Sequence, residues 1–358
     1  MSNLCKNEKF AELLPIDLDA ALITSDVNRR YFTGMKSSAG IVLITRERSY
    51  LLIDFRYYEC ACKETVGYEV VLLKKLDEQL IELVKKHNIK KIGIESATLT
   101  VYELASYRNK LAPIEVVDSN AVSDIISAMR IIKSPEELNK VMAAQSIAER
   151  AFEHILSFVA AGKTEREVAL EIDYFMLREG AEAISFDTIA VSGKKSSLPH
   201  GVPDDKLLEI GDFLTLDFGA VVDGYHSDMT RTIAIGQTTE EMRRVYETVL
   251  VAQESALAAA KAGITGKELD SAARDIIANA GFGENFGHGL GHGVGLEIHE
   301  APNASPKGET ILKSGMVVTV EPGIYLAGKF GVRIEDMVVI KDDGATNLTS
   351  CQKNLITV

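Results

Sequence analysis

The chain has 358 residues, 46% hydrophobic and 25% charged. That balance fills buried cores and excludes a disordered chain, and the length predicts two domains. A formal net charge of -13 excludes binding driven by nucleic-acid phosphates, because an acidic surface gains no counterion release there.

From the N-terminus, Met1–Leu14 carries Lys6, Glu8, Lys9 and Glu12 and lacks the apolar stretch of a secretory signal. Short apolar runs at Ala20–Thr24, Ile41–Thr45, Tyr50–Ile53 and Glu69–Leu73 predict strands. Leu76, Leu80, Leu83 and Val84 recur at helical spacing, which predicts a helix over Leu76–His87. A strand at Ile92–Ile94 and a helix at Thr98–Lys110 follow, giving an α/β domain over residues 1–131. A boundary is expected near Met129–Ser134. Ser134-Pro135-Glu136-Glu137 then supplies a cap, a first-turn proline and first-turn acids, so a helix is predicted to about Phe158. No apolar run reaches the roughly 20 residues of a membrane helix. Cys5, Cys60, Cys62 and Cys351 form no CxxC set and are too few for a disulfide framework. A cytoplasmic chain with free thiols, no membrane partner and no nucleic-acid partner is expected.

The second domain, residues 132–358, contains an internal repeat. Gly162, Thr164, Glu167 and Gly180 recur 101 positions later as Gly263, Thr265, Glu268 and Gly281. Gly211, Thr215, Asp217 and Gly219 recur 104 later as Gly315, Thr319, Glu321 and Gly323, and Asp228 is echoed 107 later by Glu335. Ordered matches with slowly growing offset indicate a duplication with loop insertions. Two similar α+β halves with a site between them are expected.

Asp217 and Glu321 each end an apolar, strand-prone run, where an acid is costly without ionic or metal partners. Asp228 lies 11 residues after Asp217, and Glu335 lies 14 after Glu321. Both spacings suit a strand–turn–strand hairpin that returns the second acid to the same mouth. Four converging carboxylates repel one another unless cations lie among them, and hard or borderline divalent ions are the natural choice. Gly287-His288-Gly289-Leu290-Gly291-His292-Gly293-Val294-Gly295 adds glycines that permit close backbone approach and expose imidazoles. No Gly-Lys-Ser/Thr closes that run, and Ser157 stands where Ala160–Thr164 would need its first glycine, so neither stretch is a phosphate-binding P-loop. Three of the seven histidines, His288, His292 and His299, fall within twelve residues.

Asp217, Asp228, His292, Glu321 and Glu335 resemble, in order and context, the five metal ligands of the M24 pita-bread metallopeptidases. That family includes methionine aminopeptidase, aminopeptidase P and prolidase. The resemblance covers the whole chain, with Asn28–Gly34 in the place of a motif of the creatinase/prolidase N-terminal domain. It implies an α+β pita-bread fold of two pseudo-two-fold halves, preceded by the α/β domain. It also implies two divalent ions per subunit sharing a bridging water or hydroxide. Asp228 and Glu335 would bridge both ions, Asp217 would chelate one, and His292 with Glu321 the other. Manganese is the first expectation, and cobalt, zinc and iron are also acceptable to such a site.

The same resemblance gives Glu321 a second role as proton shuttle. His200 and His299 match family histidines that orient substrate and stabilise the tetrahedral oxyanion. His288 matches a histidine near the proline pocket. Arg333 would hold the Glu335 side or a substrate carboxylate, or form a structural ion pair. Tyr325 would pack in the core or hydrogen-bond behind the ligands. The implied reaction is hydrolysis of an Xaa-Pro bond, at the N-terminus of peptides as an aminopeptidase or in dipeptides as a prolidase, by a homodimer. Methionine aminopeptidases usually lack the N-terminal domain, and creatinase lacks the metal ligands. A pita-bread binding protein with decayed ligands is the alternative outside enzymes, and all five ligand positions argue against it.

Overall fold

The structure, a computed structural model, describes residues 5–358. The part of the N-terminal reading that falls on residues 1–4 lies outside the described residues. The chain divides into two compact units, one ending at Arg130 and one spanning Ile131–Val358.

The first unit is built on a six-stranded sheet in the order Glu69–Leu72, Ser49–Ile53, Ile41–Thr45, Ala20–Ile23, Lys91–Ile94 and Glu115–Val117. Ile41–Thr45 runs antiparallel to both neighbours, and the other pairs are parallel. The expected strands and helices all form, with ends moved by a few residues. Thr100, for example, caps the Val101–Leu111 helix by accepting from Glu103 N. Sequence periodicity does not reveal the short helices Lys6–Leu13, Asp26–Thr33 and Phe55–Glu64. The Asn28–Gly34 motif has a structural job within this unit. Arg29 is buried and donates to Ser37 Oγ and to the Ser37 and Gly40 carbonyls. Asn28 donates to Glu95, which also accepts from the Ser25 N–H and hydroxyl.

The second unit opens with the Pro135–Phe158 helix. Ser134 Oγ accepts from Glu137 N while the Glu137 carboxylate accepts from Ser134 N. The repeat then acquires physical meaning. Thr164 with Glu167, and Thr265 with Glu268, form the same reciprocal cap at the starts of the helices Glu165–Arg178 and Gly266–Asn279. Three repeated glycine pairs, Gly162/Gly263, Gly180/Gly281 and Gly211/Gly315, all have left-handed backbone.

Each half lays two helices on antiparallel strands over its own core. In the first half, Phe152, Ile172, Leu214, Leu216 and Phe218 are buried under Pro135–Phe158 and Glu165–Arg178. In the second, Val249, Leu269, Val318, Val320 and Val338 are buried under Glu240–Ala259 and Gly266–Asn279. Each such side chain contributes about 1.5–3 kcal/mol of burial free energy. Phe213–Phe218 pairs with Ile189–Ser192 and Met229–Ala234. Val317–Val320 pairs with Asp336–Ile340 and Gly291–Gly293. The C-terminal residues return to the first half, where Ile356 O accepts from Ala234 N.

Candidate metal centre

The hairpin geometry brings the acids to one mouth. Asp217 lies on Phe213–Phe218, opposite Thr230, and Asp228 precedes the returning strand. Glu321 and Glu335 lie one step beyond the Val320–Asp336 pair of the second hairpin. The glycine-rich stretch is not a loop throughout, because Gly291–Gly293 is a strand between Glu300–Ala304 and Val317–Val320. A Cβ at Gly291 would stand 2.1 Å from Thr319 O, and one at Gly293 2.1 Å from Ala301 O. Only glycine on either side lets His292 enter so crowded a sheet.

Asp228, His292 and Glu335 each present a ligand atom, and these atoms all lie within 4.8 Å of one another. His292 Nε2 is 3.6 Å from Asp228 Oδ2 and 3.3 Å from Glu321 Oε1. The Gly293 carbonyl, 3.1 Å from Nδ1, can only accept, so Nδ1 keeps its proton and Nε2 faces the acids. Burial would lower the His292 pKa, but Glu321 and Asp228 outweigh it and push the imidazole up to about 9. Burial holds Asp228 and Glu335 well above the usual carboxylate range, and each is raised further by its acidic neighbours. Burial also raises Asp217, against the opposing pull of Arg333.

Asp217 Oδ1 and Glu335 Oε1 are buried without a hydrogen-bond partner. Orphaned carboxyl oxygens beside an imidazole nitrogen are donors that divalent cations select. The residues therefore fit the ions implied by the resemblance.

Arg333 does not reach Glu335 directly. It donates to Asp217 Oδ2 at 2.5 Å, to Thr230 Oγ1 at 3.1 Å and to Tyr325 Oη at 2.8 Å. The ion pair with a neighbouring acid, one of the roles left open for it, is therefore present with Asp217. Tyr325 is hydrogen-bonded rather than merely packed. His288 Nδ1 donates to Gly289 O, so its Nε2 accepts from Tyr325 Oη at 2.9 Å. Burial lowers the His288 pKa and keeps that ring neutral. His299 packs edge-on against His292 with ring centroids 4.4 Å apart, and burial lowers its pKa as well.

Asp217, Asp228, His292, Glu321 and Glu335, with His288, His299 and Arg333, line a cavity of about 610 Å³ that also contains His200. Phe186, Ile189, Val202 and Ile298 give it an apolar wall. Sequence reasoning does not single out that wall, nor two hydroxyls. Thr230 Oγ1 donates to Glu335 Oε2 at 2.6 Å. Thr319 Oγ1 accepts from His292 N and donates to Glu321 Oε1. Each threonine stands two residues from an acid on an extended segment, and the period of two that puts them on one face was the available signal.

The metallopeptidase family M24 profile matches residues 139–342. The creatinase/prolidase N-terminal domain profile matches residues 12–132. An Xaa-Pro dipeptidase of Pyrococcus horikoshii is 44% identical over 355 residues, covering 98% of this chain and 99% of that protein. A solved Xaa-Pro dipeptidase from Bacillus anthracis superposes with a TM-score of 0.95 at 42% identity, covering 99% of this chain and 100% of that one. A solved X-Pro aminopeptidase from Thermotoga maritima gives 0.92 at 40% identity, covering 98% and 100%. Profile, full-length relatives and fold agree with the geometry, and the chain belongs to metallopeptidase family M24, with a creatinase/prolidase N-terminal domain preceding its pita-bread peptidase domain.

Proposed function

We propose that this chain is an exopeptidase that hydrolyses the bond preceding proline, at the N-terminus of peptides or in dipeptides. Two divalent ions held by Asp217, Asp228, His292, Glu321 and Glu335 would serve it. The observation that carries the reading is the meeting of Asp228, His292 and Glu335 ligand atoms within 4.8 Å on the wall of a substrate-sized cavity. Relatives named dipeptidase and aminopeptidase support proline specificity and leave both peptide lengths in play. Manganese, a cytoplasmic homodimer and domains of 1–131 and 132–358 belong to the same proposal, on family resemblance and the sequence reading.

When bound, the cations supply an acidified water and polarise the scissile carbonyl. Glu321 takes the proton of the attacking water and delivers it to the leaving nitrogen. His299, neutral through burial, and His200 donate to the oxygen that gains charge as the carbonyl becomes tetrahedral. The apolar wall of Phe186, Ile189, Val202 and Ile298 packs the substrate's rings and methylenes and excludes water. Arg333 stays a cation and holds Asp217, while Tyr325 and His288 extend that chain of hydrogen bonds.

The test is the initial rate of hydrolysis of Ala-Pro, Ala-Pro-Ala and Ala-Ala-Ala by metal-stripped protein, with and without manganese. Metal-dependent cleavage of one or both proline substrates, with the control spared, is expected. Equal cleavage of the control removes proline specificity, and no cleavage of any substrate overturns the reading.

A further inference from the structure

Behind the acid cluster lies a buried guanidinium that touches no ligand side chain. Arg231 is 1% exposed, and its three nitrogens together make five hydrogen bonds. Nη1 donates to Thr230 O at 2.9 Å and to Glu335 O at 2.6 Å. Nη2 donates to Asp336 Oδ1 and Cys351 O, both at 2.8 Å, and Nε donates to Gln352 O at 3.1 Å. Its neighbour Thr230 gives Glu335 two further contacts, one from its hydroxyl to Oε2 and one from its carbonyl to the Glu335 N–H. Glu335 is thus held at its N–H, its C=O and one carboxylate oxygen by two consecutive residues of the other half.

Asp336 anchors the guanidinium. It is fully buried, and its second oxygen accepts from Gln253, Asn347 and Lys353. Counted from the facing positions Asp217/Thr230 and Glu321/Glu335, Arg231 and Asp336 are the next residue in each half, so the ion pair joins equivalent positions of the two hairpins. The C-terminal stretch enters the same joint through the Cys351 and Gln352 carbonyls and the Lys353 ammonium. Removing so many charged and polar groups from water is weak evidence for stability, because apolar packing of similar volume does as well or better. Fixed direction at a neighbouring ligand is what a five-donor fork provides and apolar packing does not.

We infer that Arg231, anchored by Asp336 and the Cys351–Lys353 segment, is a positioning residue that fixes Glu335 across the two halves and thereby sets the affinity of the metal centre. This rests on the metal-centre reading above. The test uses Co²⁺ alone as probe, measuring its affinity and its visible absorption in wild type, Arg231→Lys, Asp336→Asn and a destabilised control, Val249→Ala, which is buried on a helix that carries none of the ligands. Both joint variants are expected to bind Co²⁺ about 10- to 100-fold more weakly, as when a partner that orients a metal ligand is lost. Their absorption bands should shift, while the control binds as wild type does. Wild-type affinity and spectrum in either joint variant that folds overturn the inference, as does equal weakening in the control. If neither joint variant folds, the joint is structural and the inference is wrong. Absence of Co²⁺ binding in wild type instead sinks the metal-centre reading itself.

Discussion

The hairpin bearing Asp217 and Asp228 and the hairpin bearing Glu321 and Glu335 share a frame but differ in register. In the first, Thr230 stands opposite Asp217, and the second acid comes two residues earlier. In the second, Glu335 itself falls opposite Glu321. The first half thus offers two short aspartates and a hydroxyl that serves the other half's glutamate. The second offers two longer glutamates and, from a flanking strand, His292. The duplicated frame supplies the mouth, and register with side-chain length decides which atoms meet there.

The bluntest way to break this comparison is to remove one acid from each half. Asp228→Asn and Glu335→Gln should each lower metal-dependent turnover by more than about a thousand-fold, as for members of one catalytic unit, while circular dichroism stays native. Near-normal rates in both would show that the halves do not share a centre. A smaller effect is expected from the hydroxyls. Thr230→Val and Thr319→Val should each weaken metal binding about 10- to 100-fold, the cost of losing a group that orients a ligand. Titration calorimetry would read this, and unchanged affinity in both variants would make the hydroxyls bystanders.

The mildest effect is that of pH. His292 rises to about 9 in the metal-free protein, so its imidazole holds a proton near pH 7 that a cation must displace, and burial raises Asp228 and Glu335 as well. Raised pKa values mean more bound protons at low pH, so metal affinity should climb as pH rises towards about 9, with proton release on binding near pH 7. Calorimetry in buffers of different ionisation heat would detect that release, and pH-independent affinity would contradict it.

Much of this was legible in the sequence, because the duplication repeats residues whose physics is local. Paired glycines mark left-handed turns, Thr164/Glu167 and Thr265/Glu268 mark helix starts, and each acid ends an apolar strand run. What stayed hidden depends on register and distant partners. The 107-residue spacing of Asp228 and Glu335 matches them as equivalents, yet the ladders place Thr230, not Asp228, at the position of Glu335. Arg333 pairs with Asp217, 116 residues away, and Arg231 reaches Cys351, 120 away. No periodicity reports such contacts. The short helices of the first unit carry too few turns for an apolar stripe to stand out.

The central claim, that both halves enclose a pair of ions, is tested most directly by counting metal. Metal-stripped protein should be saturated with manganese, freed of excess by gel filtration and assayed by elemental analysis against protein concentration. Two ions per chain in wild type, falling in both Asp228→Asn and Glu335→Gln, is the predicted result. A saturating stoichiometry of one or none in wild type, or two retained in both variants, would contradict it.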